Sequence, residues 1–208
     1  MRYLNYRIDS PLPEVMEYNG KKYKLTLYFD RVIRFYDMIK DKKSELSYED
    51  KIEIAYDWLV ESPKKAGLTE KLEVVDKINR EYLSEHHDRV KKKKERTAVN
   101  FIADSKYIYA AFRQFYGINL FEEQGKLLWW EFIAMFDSLP SDCKIKEIMY
   151  IRTRKIPEYN GHNHDEIILV KEQQEFYFLD ENWEEVEKES SDMLSSLFDS
   201  MVRLAKSQ

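Results

Sequence analysis

Only five glycines and five prolines punctuate the 208 residues of this chain. A fold of many strands needs such residues at its turns, because glycine supplies positive φ and proline pre-sets a corner. A chain poor in both is biased toward helix. The apolar content of 43% can fill a core, and the 35% of charged residues can coat helix exteriors. The length suits one substantial domain with a peripheral segment better than two full domains.

One strong β signal stands against that background. Val15 and Tyr18 precede Asn19-Gly20, and Tyr23, Leu25 and Leu27 alternate with Lys24 and Thr26 after it. Asn-Gly suits a two-residue hairpin turn, whose central residues need positive φ. The spacing then changes from period two to helical. Val32, Phe35, Tyr36 and Ile39 share one face of a helix over about 30–40, with Asp30 as its expected cap and the strand-to-helix junction at Phe29. Ser47 and Asp50 open a second helix carrying Ile52, Ala55, Tyr56 and Leu59, and Ser62-Pro63 and Gly67 are read as its end. A third helix, from Thr69 through Leu72, Val75, Ile78 and Tyr82, loses its apolar face as it enters the polar, then basic, stretch 84–97.

The densest apolar periodicity follows. Ile108, Ala111, Phe112 and Phe115 mark one helix, ended by Gly117. Trp129, Phe132, Ile133 and Phe136 mark the next, followed closely by Pro140, and Ile145, Ile148, Met149 and Ile151 mark a third after Ser141-Asp142. Residues 158–165 read as a polar loop, and 167–179 fit no single template. Near the end, Leu194, Leu197, Phe198 and Met201 recur at i, i+3, i+4 and i+7, and Met193 and Leu204 widen the stripe. This terminal helix is expected to close an edge of the bundle and to serve oligomer or client contacts. The fold class predicted is mainly α, a helical bundle with an N-terminal β-hairpin. Its parts are 1–97 (hairpin, helices and basic connector), 98–157 (aromatic-rich helical unit) and 158–208 (polar loop and amphipathic helix), in one compact domain.

Composition also narrows function. The net charge of −5 gives no overall positive field for phosphate backbones, and the basic strip Arg89, Lys91 to Lys94 and Arg96 lacks interleaved aromatics to stack bases, so no nucleic-acid partner is expected. A single cysteine, Cys143, fits a reducing compartment such as the cytoplasm. No apolar run suggests a signal peptide or a membrane-spanning segment.

Catalytic patterns are sought in vain. There is no glycine-rich phosphate loop, no Gly-x-Ser-x-Gly elbow and no His-Glu-x-x-His sequence. His162, Asn163, His164, Asp165 and Glu166 offer metal-ligand chemistry, but adjacent ligands in a polar loop need a distant partner, and His86 and His87 lie in another exposed-looking segment. Cys143 has no histidine near it in sequence and reads as a small, semi-buried residue rather than a nucleophile. The expectation is a non-enzyme without catalytic residues, metal or cofactor, working through protein–protein contact.

The central stretch carries a resemblance. Tyr107-Ile108-Tyr109-Ala110-Ala111-Phe112, then Tyr116-Gly117-Ile118-Asn119-Leu120, then Trp129-Trp130-Glu131-Phe132 occur in the order seen in the phage tail-cluster proteins named after gene product fifteen. The resemblance extends from the hairpin to Pro157. Leu128 and Asn119 stand where that family is expected to carry histidine and aspartate, so no role needing an imidazole or a carboxylate at those places is implied. What the resemblance implies is a tail-assembly chaperone that binds the tape-measure protein in the host cell cytoplasm. Tape-measure or other tail proteins are then the expected partners, with homo-oligomers and a host protein as further ones. The alternatives are a structural tail subunit retained in the virion and a phage protein that engages a host defence protein. The interaction candidates are Trp129, Trp130, Tyr107, Tyr109, Leu194, Leu197, Phe198 and Met201. Trp129 and Trp130, about 100° apart on a helix, are not expected to point the same way, so one of them is expected to line an edge or groove.

Overall fold

The structure is a computed structural model, described here for residues 9, 11–41, 44–83 and 98–179. The described residues hold a three-stranded antiparallel sheet and seven α-helices, so the chain is mainly α with an N-terminal hairpin. Backbone contacts divide it into two compact units. The first takes in 11–83 together with 124–132, and the second takes in 98–123 together with 133–179, among the described residues.

In the first unit, β1 (Val15–Tyr18) and β2 (Lys21–Leu25) form the predicted hairpin, with Met16 opposite Tyr23. Asn19 and Gly20 both have positive φ, 48° and 74°, which is the demand that selects Asn-Gly. The sheet goes one strand further than the sequence suggests. Helix α2 (Tyr48–Leu59) stops before Ser62-Pro63, and Val60–Ser62 continues extended as β3 along the free edge of β2. That edge would otherwise leave backbone groups unpaired, and pairing it buries Val60 beside Leu25.

Helix α1 (Phe29–Lys40) buries Val32, Phe35, Met38 and Ile39, as its periodicity predicts. Asp30 is not its cap. The cap position belongs to Tyr28, and the Asp30 carboxylate instead accepts from the Gly125 backbone N–H at 2.9 Å. Ser47 and Asp50 do form a full capping box at the start of α2, each satisfying the other's backbone N–H. Helix α3 (Leu68–Ile78) packs on α2 through Leu72, Val75 and Ile78 and runs into one π-helical turn, Asn79–Leu83.

The second unit contains α4 (Ser105–Tyr116), α6 (Lys144–Thr153) and α7 (His164–Phe176), while α5 (Trp129–Asp137) begins in the first unit and ends in the second. Gly117 closes α4 at φ 69°, a left-handed position that a side chain would strain. Phe115, assigned by spacing to the apolar face of α4, is exposed. Helix α7 replaces both the expected polar loop end and the unassigned stretch after it. Its first turn carries Asp165 and Glu166, which favour the positive helix end, but only Val170 and Gln174 are buried, so its periodicity is too faint to read. The basic connector and the terminal helix fall at 84–97 and 190–205, outside the described residues.

Candidate interaction surface

The tryptophan pair sits in the first unit, where a distant chain segment returns to the start of α1. The Phe29 N–H donates to Leu127 O at 3.0 Å, the Trp129 N–H donates to Leu27 O at 2.8 Å, and Tyr28 and Leu128 form an isolated antiparallel bridge. This bridgework aims the two indoles apart, as adjacent helical positions require. Trp129 packs toward Tyr36 and Phe132, at centroid distances of 6.4 and 5.8 Å. Trp130 turns to Tyr82, and its Nε1–H donates to the Tyr82 carbonyl at 3.0 Å. Phe132 stacks on Phe29 at 5.0 Å. The expectation that one indole lines an edge is corrected here: each tryptophan is only 7% exposed, because each finds its own aromatic neighbour in the same core.

The second unit is organised around a buried ion pair that the sequence did not single out. Arg152, on α6, makes a bidentate contact with Asp104 at 2.6 and 2.8 Å, and both side chains are over nine-tenths buried. Two further guanidinium N–H groups donate to Ala98 O at 3.1 Å and Tyr177 O at 2.7 Å. Asp104 also accepts from the Asn100 N–H, and the Asn100 amide oxygen accepts from Ile102 and Ala103 N–H, so the turn that leads into α4 is tied to the same network. A planar five-donor guanidinium suits such a hub, since a buried charge is tolerated only when its donors are used. The signal was present as Asp104 before a helix and Arg152 amid isoleucines, but nothing in one dimension pairs them.

Large apolar side chains lie outside this frame. Phe121 is 70% exposed and its ring lies tilted against Tyr109, with centroids 5.1 Å apart. Tyr107 is half-buried, with the Lys106 ammonium 4.7 Å over its ring. Tyr150, Tyr159 and Phe178 are exposed, as are Ile168, Leu169 and Phe176 on α7. Leu194, Leu197, Phe198 and Met201 lie outside the described residues.

The histidine-bearing loop builds local structure. The Asn163 side chain accepts from the Asn160 N–H and donates to Glu158 O, while the Asn160 side chain accepts from the His162 N–H. Among the described residues, no group of three or more His, Cys, Asp or Glu side chains is placed to hold a metal ion. Cys143 is buried at the N-cap of α6. No described helix is long and apolar enough to cross a membrane.

A model of the family described as Bacteriophage Gp15 protein matches residues 8–179. The match covers both units and most of the chain, so this chain belongs to that family and is a bacteriophage protein. No curated protein and no solved structure matches it.

Proposed function

We propose that this phage protein is a non-enzymatic tail-assembly factor that binds the tape-measure protein in the host cell cytoplasm and leaves before the virion is complete. The observation that carries the reading is the contrast between a second unit locked by Arg152 and Asp104 and the aromatic and aliphatic side chains it keeps outside. A long helical client exposes apolar stripes until tube subunits surround it. Rigid aromatics cover such stripes at a small entropy cost, and the net charge of −5 keeps the complex soluble. Family membership supports the phage setting, and tape-measure binding is the step added here.

Co-expression of the full chain with a helical tape-measure fragment tests this. The fragment is expected to move into the soluble fraction and to co-purify with the chain. Equal insolubility with and without the chain rejects the chaperone role. Stoichiometric recovery of the chain in purified virions, measured by mass spectrometry, replaces it with a structural one.

A further inference from the structure

Helix α7 is held in an unusual way for a helix with an apolar side. Its inward contact is Val170 and Gln174 against α6, and Gln174 Nε2–H₂ donates to both Ile151 O at 3.0 Å and Arg154 O at 2.8 Å. Arg154 donates to the Gln173 amide oxygen at 2.5 Å, and Arg152 donates to Tyr177 O just past the helix end. These polar clamps fix the rotation of α7 about its axis. The rotation leaves Ile168, Leu169 and Phe176 outward, and Phe176 is 76% exposed. Leu169 and Phe176 are seven residues apart, so they stand in line about 10 Å from one another, one partner-helix heptad. The same Arg154 guanidinium lies 5.8 Å from the centre of the exposed Tyr150 ring.

On α7 itself the exposed charges are mostly acidic. Asp165, Glu166, Glu172 and Glu175 are all exposed on α7, and Lys171 is the one lysine or arginine in the helix. A second copy of α7 would set these carboxylates against their own kind in either orientation. The first ten residues of the chain's own segment beyond Leu179 carry Asp180, Glu181, Glu184, Glu185, Glu187 and Glu189 and meet the same repulsion.

We infer that the outward face of α7 is a docking site for one amphipathic helix from another protein, with an apolar stripe bordered by lysine or arginine. It rests on the partner-binding reading above and adds the face and the chemistry of the occupant. The apolar contact is short, so charge complementarity supplies specificity and the association rises and falls with salt.

The probe is a synthetic amphipathic helix with a leucine stripe bordered by lysines, against a twin bordered by glutamates, each titrated into the full chain by fluorescence anisotropy. The lysine peptide is expected to bind and the glutamate twin to bind at least about tenfold more weakly, with Leu169→Lys plus Phe176→Lys costing a similar factor. Because both residues are exposed, the double variant keeps the hydrogen-exchange protection of α6; Phe176→Ser, which adds no charge, is the second variant and is expected to weaken binding in the same direction. Equal binding of the twins, or unchanged binding by both variants, overturns the inference. A dimer that the double variant dissociates assigns the face to a second copy, and peptide binding seen only after truncation behind Leu179 assigns it to the chain's own tail; either overturns it. Peptide binding with an insoluble tape-measure fragment removes the chaperone reading alone, and the converse removes the α7 site alone.

Discussion

The two units close their interiors by different means. The first buries a broad apolar and aromatic core, including Phe35, Tyr56, Leu72, Trp129 and Phe132, drawn from sheet, helices and a returning segment. The second buries a smaller set, including Phe112, Ile145 and Ile148, and adds the ion pair of Asp104 and Arg152. Its exposed aromatics would be ordinary core material in the first unit. The difference teaches that an interior pinned by a directional pair can hold its shape while many large apolar side chains stay outside, whereas the mostly apolar core of the first unit leaves fewer out, Val15, Leu46 and Tyr48 among them.

The sharpest way to break that comparison is Arg152→Ala. Removing the guanidinium strands a buried carboxylate and two backbone acceptors, Ala98 O and Tyr177 O, and a loss of about 3–5 kcal/mol is expected. Segment-resolved hydrogen exchange should show protection collapsing in 98–123 and 133–179 while 11–83 keeps its own. Equal loss in both regions would mean that the units do not unfold separately.

Alkaline pH should act the other way round. Burial raises the hydroxyl pKa of Tyr18, Tyr23, Tyr56 and Tyr82, all in the first unit, and the Glu70 carboxylate accepting the Tyr23 hydroxyl at 2.6 Å raises that one further. A folded state that retains phenolic protons which the unfolded chain gives up loses stability as pH climbs past the ordinary tyrosine value of about 10. Protection in 11–83 is expected to fall first as pH is raised. A fall in 133–179 at lower pH, where Tyr150 and Tyr159 are exposed, would contradict it.

The smallest effect concerns one helix start. Ser47→Ala removes the acceptor for the Asp50 N–H and half of the capping box, at a cost of about 1 kcal/mol. A lower thermal midpoint with faster exchange confined to the first turn of α2 is expected, and an unchanged midpoint would show the box to be dispensable.

Local chemistry was legible wherever one element carried its own instructions. Asn19-Gly20 determined the hairpin, Ser47 and Asp50 determined a helix start, and Gly117 determined a helix end, because each acts through backbone geometry within a few residues. The order of aromatic segments from Tyr107 to Phe132 was likewise enough to place the chain among phage proteins. Tertiary structure alone decided the rest. Val60 became a strand because β2 had a free edge, and Asp30 gave up a cap to hold Gly125, 95 residues away. The tryptophans were buried separately because Tyr36 and Tyr82 each supplied a partner from the first unit. Asp104 and Arg152, 48 residues apart, paired only once α4 and α6 had met, since a hydrogen bond between distant residues is fixed by packing that no sequence window contains.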